Sequence, residues 1–243
     1  MTGTAKARTS KAGLSGSGRG KKKRGDPPKV RGNVPREPPC IPADERRRQM
    51  VLAAYGLLDT DGLEGLTIRK VLNRTRLSRR AFYERFSSKD DLVLAVFAHT
   101  IGLAAQWLGE QLEGVADPME RLKTIVERIV LGADALGTAG DDKRSAALVR
   151  EHLRLAESRP ADLHAALSPL IELIARQLSD GMRAGLVRQY PAQRLAALFY
   201  NVVATTMHTE ILASETSEPD PAHRVRLAKE IWEFCRPAIA AHA

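Results

Sequence analysis

The sequence has few of the residues that most often mark a catalytic or metal-binding site. It has only two cysteines, Cys40 and Cys235, in 243 residues. They match no metal-binding spacing and are typical of a reducing compartment. The histidines form no His-Glu-x-x-His or Glu-x-x-His motif, and no serine lies in a Gly-x-Ser-x-Gly elbow. We therefore expect no catalytic residue, no metal and no cofactor, which disfavours an enzyme.

Strand signals are missing as well. After residue 88 no segment shows the alternation of apolar and polar residues that a half-buried strand requires. Apolar residues instead recur at helical spacing, and prolines stand near predicted helix starts, where a missing N–H is harmless. The pattern predicts an all-α fold of about nine helices, the first running from about Asp44 to Thr60, with Gly62 ending it. After the first three, they are expected at 89–113, 118–136, 141–158, 160–185, 191–214 and 221–240, with a loop at 137–140.

Acidic charge is scarce at the N-terminus. Residues 1–43 hold 11 Lys and Arg against two Asp and Glu, a net charge of +9 that equals the net charge of the whole chain. The other residues are balanced overall, with a small positive excess over 44–97 and a small negative excess over 98–243. This distribution is expected if the N-terminal third meets a polyanion and the rest does not.

Residues 1–43 are rich in Gly, Ser, Pro, Lys and Arg without apolar periodicity, so we predict a disordered basic tail. Two interpretations stay open: a solvated extension, or an arm that grips DNA phosphates or enters a minor groove. The tail lacks the apolar stretch of a secretory signal. The 18-residue uncharged run from Leu92 to Gly109 contains polar residues and is predicted to be a buried helix rather than a membrane span. We expect a cytoplasmic protein without a membrane partner.

Two short helices with matched caps are predicted between Thr67 and Lys89. Thr67 and Ser78 are hydroxyl N-caps, each flanked by apolar residues at the spacing of a hydrophobic staple. Only a short turn separates the two helices, as in a helix-turn-helix. The second helix opens with Arg79 and Arg80, whose guanidinium groups are suited to guanine edges in a major groove.

Residues 46–97 resemble the DNA-binding domain of the TetR family of bacterial transcription regulators. The likeness lies in the order and spacing of an Arg-led helix, a Gly, two helix-starting hydroxyls, an aromatic pair, and a Lys followed by acids and Leu. In this chain these are Arg48, Ala53, Ala54, Gly62, Thr67, Ser78, Tyr83, Phe86 and Lys89 to Leu92. One departure is Thr75-Arg76 in the turn, where the family usually has Ala-Gly. Arg would be strained there if the backbone has a positive φ.

The resemblance implies three helices for DNA and a C-terminal helical bundle that binds an effector and dimerises. We place the basic tail at 1–43, the DNA-binding domain at 44–104 with its helix-turn-helix at 67–86, and the regulatory and dimerisation domain at 105–243. The implied function is a sequence-specific transcription regulator, a repressor of operator DNA that responds to a small, largely apolar molecule of unknown identity. The alternatives are a non-switching architectural DNA-binding protein and a helical-bundle enzyme.

The predicted DNA contacts lie along the helix-turn-helix and at the start of the following helix. The two arginines are assigned to bases or phosphates, and the hydroxyl of Tyr83 to a phosphate. Thr67 and Lys89 stand at helix starts, where N–H groups and positive charge favour phosphate. The full set is Thr67, Arg69, Ser78, Arg79, Arg80, Tyr83 and Lys89.

The last two predicted helices carry long apolar stripes. In the last helix the apolar residues recur at alternating intervals of three and four, as in a coiled-coil seam. Such helices either pair with a second copy in a four-helix interface or line their own core. Helix-turn-helix proteins commonly bind paired half-sites as dimers, so we expect a homodimer. The interface is predicted at Leu198, Val202, Val225, Ala228, Trp232 and Cys235.

Overall fold

Nine α-helices make up the part of the chain that the computed structural model describes, which is residues 42–131, 141–214 and 221–241. They are α1 (Ala43–Gly65), α2 (Ile68–Thr75), α3 (Arg79–Tyr83), α4 (Lys89–Gln111), α5 (Pro118–Leu131), α6 (Asp141–Ser158), α7 (Pro160–Arg183), α8 (Ala192–Ser214) and α9 (Pro221–Ile239). These ranges contain no β-strand, and one isolated antiparallel bridge joins Val187 to Ala240. The all-α prediction is confirmed. The predicted loop at 137–140 and all but the end of the predicted tail lie outside the described residues.

α1 is longer than predicted because it continues past a kink. Its backbone leaves helical geometry at Gly62, where φ is 65° and ψ is −170°, a conformation that glycine adopts without steric cost. A short helical stretch then continues to Gly65, so the end predicted near Thr60 corresponds to the kink. The buried side of α1 is formed by Met50, Val51, Ala53, Ala54, Leu57 and Leu58.

Hydroxyl caps fix where the next three helices begin. The side chains of Thr67, Ser78 and Ser88 each accept a hydrogen bond from the backbone N–H three residues further on, at 3.2, 3.1 and 3.2 Å. Each bond satisfies one of the N–H groups that a helix start leaves without an intrahelical partner. Both predicted caps of the helix-turn-helix are therefore present.

The turn between α2 and α3 contains the one non-glycine residue with positive φ in the described ranges. Arg76 has φ 57° and ψ 25°. This is the left-handed conformation, which costs an L-residue with a side chain roughly 1–2 kcal/mol. Arg76 therefore adopts the geometry that suits a glycine, and the turn keeps its shape despite the substitution.

Replacing Arg76 with glycine should stabilise the protein. Glycine removes the left-handed strain but loses more backbone entropy on folding, so we expect the free energy of unfolding to rise by up to about 1 kcal/mol. Urea denaturation would show a higher midpoint at an unchanged slope. Arg74→Gly, inside the last turn of α2, is the matched control and should lower stability by about 1 kcal/mol. A midpoint for Arg76→Gly at or below that of the parent would contradict the strain.

Two clusters of buried apolar side chains form the interior. The first is built mainly from α1, α2, α3 and the start of α4, and includes Leu66, Val71, Phe82 and Leu92. The second is built from the remainder of α4 with α5 to α9, and includes Leu122, Ile174, Phe199 and Trp232. α4 contributes side chains to both clusters, so it is the element that joins the two cores.

α4 is, by length and composition, apolar enough to cross a membrane, the one such helix in the described part of the chain. It packs instead on α1 and α7. Its buried residues run from Leu92 near the start to Leu108 near the end. Only about a third of its most apolar stretch is buried, so the prediction of a buried helix holds for the segment from Leu92 to Phe97 and for Leu108.

Candidate nucleic-acid interface and interior cavity

The residues predicted to contact DNA lie at the surface of the helix-turn-helix. Thr67, Arg69, Ser78, Arg79, Arg80 and Tyr83 are exposed, and Lys89 is half-buried. The five-residue helix α3 buries Ala81 and Phe82. Its polar side chains therefore point outward while its apolar ones hold it to the first core, which is the arrangement that a groove-reading helix requires. Contact of these residues with DNA stays a prediction.

Glu84 lies between two arginines on this surface. One carboxylate oxygen accepts a hydrogen bond from Arg80 Nε at 3.1 Å, and the other lies 3.7 Å from a terminal nitrogen of Arg46. The Arg80 side chain is 90% exposed, and an exposed pair of this kind contributes at most about 1 kcal/mol. Arg80 can therefore exchange Glu84 for a DNA phosphate or base. Arg79 forms no ion pair among the described residues.

Aromatic contacts hold α3 against the first core. The Phe82 ring lies 5.5 Å from that of Phe86 and 5.3 Å, edge to face, from that of Tyr83. The Arg47 guanidinium from α1 stacks over Phe86 at 5.6 Å, a cation–π contact. Tyr83 is more than half exposed. Its ring therefore packs on Phe82 at one edge, while the rest of the side chain stays accessible to a phosphate.

Lys89 has a structural partner that the sequence does not reveal. Its Nζ donates to the carbonyl oxygen of Leu63 at 3.2 Å, across 26 residues. The bond links the start of α4 to the last turn of α1. A phosphate contact by Lys89 would have to share or replace this bond, whereas its backbone N–H at the helix start needs no rearrangement.

Two acidic residues at the start of α4 link it to α6 and α7. Arg159 Nη1 donates to Asp91 Oδ1 at 2.8 Å, and Arg154 Nη1 donates to Asp90 Oδ2 at 3.2 Å. Arg154 also donates to the buried carboxylate of Glu151 at 2.7 Å. The two pairs that involve Asp90 and Asp91 each span more than 60 residues of sequence, and no local motif predicts them.

Asp91 also receives a hydrogen bond from the other side. The backbone N–H of Ser87, in the loop after α3, donates to Asp91 Oδ2 at 3.1 Å, and the Ser87 hydroxyl bonds the same oxygen. The hydrogen bonds from Ser87 and Arg159 hold the pKa of Asp91 below its ordinary value, so the carboxylate is ionised near neutral pH. One carboxylate therefore joins the loop after α3 to the start of α7.

A cavity of about 550 Å³, partly open to solvent, lies between the helices and is bounded mainly by α4, α5, α6, α7 and α8. Its volume falls in the usual range for small-molecule sites. Most of its wall is apolar, with Phe97, Ile101, Trp107, Leu170, Met207 and Ile211 among the lining residues. A mainly apolar molecule would bury well here, as the resemblance led us to expect.

Two histidines meet in the cavity wall. The rings of His152 and His208 lie 4.5 Å apart, and the ring of Tyr200 lies 6.4 Å from that of His152. Burial lowers the pKa of His152, and burial together with His152 lowers the pKa of His208 to about 4. Both imidazoles are therefore uncharged near neutral pH. Burial raises the pKa of Tyr200, so its hydroxyl keeps its proton.

A comparison with known families identifies the N-terminal helices. Residues 51–96 match the model for bacterial regulatory proteins of the tetR family. By this match, the N-terminal helices form a TetR-family DNA-binding region. The matched segment runs from the middle of α1 to the first half of α4, and so includes the whole helix-turn-helix.

Two curated relatives each match about a third of the chain. HbdR, an HTH-type transcriptional regulator of Aromatoleum sp. (strain CIB), is 30% identical over 79 residues, which cover 32% of this chain and 34% of HbdR. FasR, an HTH-type transcriptional activator of Mycolicibacterium smegmatis, is 30% identical over 87 residues, covering 36% of this chain and 40% of FasR. The chain thus matches well under half the length of these relatives.

Solved structures extend the likeness to the C-terminal helices at the level of fold. FadR of Bacillus subtilis, in complex with stearoyl-CoA, superposes with a TM-score of 0.58 at 15% identity, over 78% of this chain and 97% of FadR. A Saccharomonospora viridis protein in complex with choline has a TM-score of 0.58 at 20% identity, over 82% of this chain and 100% of its own. At such identities the likeness shows a shared helical fold.

The predicted dimer-interface residues fall into two environments. Leu198 and Val202 on α8 are exposed, at 51% and 36%. Ala228, Trp232 and Cys235 on α9 are instead buried in the second core. These three residues of the α9 seam therefore pack against the chain's own helices, and their contact with a partner chain stays a prediction. Apolar periodicity shows that a helix face is covered, but not by which chain.

Two apolar residues of α9 do reach the surface. Val225, from the predicted set, is 58% exposed, and Phe234, which the sequence analysis did not assign, is 67% exposed. A single exposed apolar residue is ordinary, but a contiguous patch of them marks a surface that a partner can cover. Phe234 lies outside the regular seam, which is why spacing alone did not point to it.

The described residues also bear on metal and thiol chemistry. They contain no group of three or more His, Cys, Asp and Glu side chains placed to hold a metal ion. Cys235 is a buried free cysteine, and burial raises the pKa of its thiol to about 11. A protonated, buried thiol is a poor nucleophile, so Cys235 acts as a core residue.

Acid should destabilise the protein through His208. As the pH falls, His208 becomes protonated at a higher pH in the unfolded chain, where its pKa is about 6.5, than in the folded protein. Stability is therefore lost as the pH falls through about 6.5, until the folded-state pKa of His208 near 4 is reached. His208→Gln should flatten the dependence of Tm on pH between about 7.5 and 4.5.

The exposed His164 on α7 supplies the control for this experiment. His164→Gln should keep the parental pH dependence. The other titratable groups that line the cavity are shared by all variants, so the difference isolates His208. These groups are Tyr55, Glu110, Arg128, His152 and Tyr200. Parallel curves for the parent and His208→Gln would contradict the prediction.

Proposed function

We propose that this protein is a sequence-specific transcription regulator of the TetR family that binds operator DNA through its helix-turn-helix. The observation that carries the proposal is α3, which is capped by Ser78, exposes Arg79 and Arg80, and buries Phe82. This helix lies inside the family match. The similar proteins HbdR and FasR are named transcriptional regulators, which supports the same class of function.

The proposed DNA contact of each side chain follows from its exposure and from the ion pairs that it forms. Arg79 contacts a guanine edge, since it has no competing ion pair among the described residues and Arg is suited to the O6 and N7 acceptors of guanine. Arg80 exchanges Glu84 for the DNA backbone or a neighbouring base. Thr67, Arg69, Ser78, Tyr83 and Lys89 contact phosphates through hydroxyls, positive charge and N–H groups at helix starts.

We propose a domain boundary within α4. Residues 44–104 form the DNA-binding domain around the first core, and 105–243 form the regulatory and dimerisation domain around the second. α4 crosses both cores, and its first turn is held by Arg154 of α6 and by Arg159 at the start of α7. α6 also lines the cavity through His152. A molecule in the cavity that shifts α6 would therefore disturb the ion pairs that position α4.

This connection supports an effector-dependent switch. An effector that fits one arrangement of the bundle better than the other shifts the equilibrium between them. A coupling of about 1–3 kcal/mol changes operator affinity by roughly 5- to 150-fold, and operator DNA must change effector affinity by the same factor. We propose that the effector releases the protein from DNA, so that the protein represses in the absence of the effector. Similar regulators include the activator FasR and the nicotine-responsive repressor HdnoR of Paenarthrobacter nicotinovorans.

We propose that the protein acts as a cytoplasmic homodimer on paired half-sites. Leu198 and Val202, one turn apart on α8, and Phe234 on α9 supply exposed apolar surface for the contact. Val225 extends this surface at the start of α9. The buried residues of the α9 seam support these positions from within. Two copies related by a two-fold axis would present two recognition helices to successive major grooves.

The dimer is tested by adding charge to α8. Leu198→Glu combined with Val202→Glu should convert a micromolar dimer to a monomer, because buried unpaired carboxylates are strongly disfavoured. Sedimentation velocity without DNA measures the change. Leu153→Glu, at an equally exposed leucine on α6 (50%), should leave the dimer intact. A parent chain that sediments as a monomer would refute the dimer.

Selection from random DNA tests the proposed function directly. The purified full chain is mixed with a random duplex library, and bound sequences are enriched and read. An enriched inverted repeat would support both sequence preference and dimeric binding. Uniform recovery would overturn the proposal and favour the architectural alternative, in which the +9 charge of residues 1–43 supplies most of the affinity.

A further inference from the structure

Aromatic residues are concentrated around the interior cavity. Tyr55, Phe97, Trp107 and Tyr200 all line it, in a chain with only two Trp, four Tyr and five Phe. Aromatic rings favour offset or edge-to-face contact with other rings. The walls are therefore suited to a flat aromatic molecule as well as to aliphatic groups.

The polar side chains of the cavity wall fall into two groups. Two polar lining residues are engaged: Thr100 Oγ1 donates to the carbonyl of Val96 at 2.9 Å, and Gln106 donates to Glu110 at 3.2 Å. By contrast, His152, His208 and the Tyr200 hydroxyl have no hydrogen-bonding partner among the described residues, although they form a ring cluster. These polar groups line the cavity, where a bound molecule or water can hydrogen-bond to them.

The kind of polar group that fits follows from the chemistry of these side chains. A neutral imidazole has one N–H donor and one acceptor nitrogen, and a tyrosine hydroxyl both donates and accepts. A ligand hydroxyl, which also donates and accepts, matches this set. A carboxylate only accepts, and it would lose its hydration without gaining a cation from the cluster. Glu110 and Arg128 are the charged side chains on the lining, and the experiment below includes a carboxylate probe for that reason.

We propose that the cavity binds an uncharged aromatic molecule with one hydroxyl group, held by His152, His208 and Tyr200. The inference rests on the proposed function in that the same cavity is the effector site, and it names the class of effector. It separates this chain from the similar structures that hold stearoyl-CoA and choline, which are charged ligands.

Three probes of matched size test the proposal: 2-naphthol, naphthalene-2-carboxylate and 2-methylnaphthalene. Binding to the full chain is measured at about pH 7.5 by titration calorimetry and by quenching of tryptophan fluorescence, since Trp107 lines the cavity. The naphthol should bind about ten-fold or more tightly than either other probe, because each added hydrogen bond is worth roughly that factor when both partners are satisfied.

Variants assign the preference to the cluster. His208→Phe and Tyr200→Phe should each weaken naphthol binding about ten-fold while changing methylnaphthalene binding by less than roughly three-fold. Tyr190→Phe, at an exposed tyrosine outside the cavity, should change neither. Equal or tighter binding of the carboxylate, or an unchanged naphthol affinity in both cavity variants, would overturn the proposal.

Operator binding by the same preparations keeps the two proposals apart. Loss of the naphthol preference with intact operator binding overturns the effector class alone. A clear naphthol preference in a chain that selects no DNA sequence supports the cavity proposal and overturns the regulator. Unfolding curves for each variant identify any loss of binding that comes from loss of structure.

Discussion

Replacing Arg79 and Arg80 together with alanine should weaken operator binding about a hundred-fold or more. Each guanidinium that pairs with a base edge contributes about 1–3 kcal/mol of discrimination, and a phosphate contact adds salt-dependent affinity. Both side chains are exposed on α3, so their removal leaves the core untouched. Fluorescence anisotropy on the selected operator, with random competitor DNA, measures affinity and selectivity together.

A charge-matched control separates local contact from overall charge. Arg176→Ala with Arg188→Ala removes two exposed arginines outside the matched segment and should change operator affinity by less than about three-fold. A double α3 variant that still binds as tightly and selectively as the parent would end the proposal that this helix reads DNA. Equal losses in both double variants would assign the binding to net charge.

Replacing Phe82 with alanine should lower the free energy of unfolding by about 3–5 kcal/mol, as for other fully buried aromatic residues. Phe82 is 0% exposed and lies between the rings of Tyr83 and Phe86. Helix α3 has only five residues, which is too short to be stable without packing. The loss should therefore also abolish operator binding, although Phe82 does not reach the surface.

Leu52→Ala is the matched test on the same domain, because Leu52 is 39% exposed on α1. Its cost should stay below about 1 kcal/mol. Phe82→Leu, which keeps a large apolar side chain, should recover most of the stability. Urea denaturation followed by circular dichroism gives the three values. A cost for Phe82→Ala no larger than that for Leu52→Ala would show that α3 is not held by this ring.

Local chemistry in the sequence was sufficient to place the helix-turn-helix. A hydroxyl that accepts from an N–H three residues on is a short-range interaction, so Thr67 and Ser78 could be identified as caps without knowledge of the fold. The turn was predictable in outline, and its one surprise was energetic: Arg76 tolerates the left-handed backbone. The end of α1 was less certain, because a glycine can either stop or kink a helix.

Contacts between distant parts of the chain could not be predicted in the same way. The bonds from Lys89 to Leu63 and from Asp91 to Arg159 depend on how the helices pack, and no residue spacing encodes them. The apolar seam on α9 also shows what residue spacing cannot predict. Its periodicity correctly indicated a covered face, but Trp232 and Cys235 are covered by the chain's own helices. The cavity histidines, 56 positions apart in sequence, become neighbours only through the packing of α6 on α8.

The two carboxylates at the start of α4 set a condition for exchanging parts between regulators. Asp90 and Asp91 belong to the proposed DNA-binding domain, whereas Arg154 and Arg159 belong to the proposed regulatory domain. A chimaera that joins this DNA-binding domain to the regulatory domain of another protein would keep the two aspartates but lose the two arginines that pair with them. We expect such a hybrid to fold and bind its operator yet ignore its inducer until arginines are installed at the two facing positions.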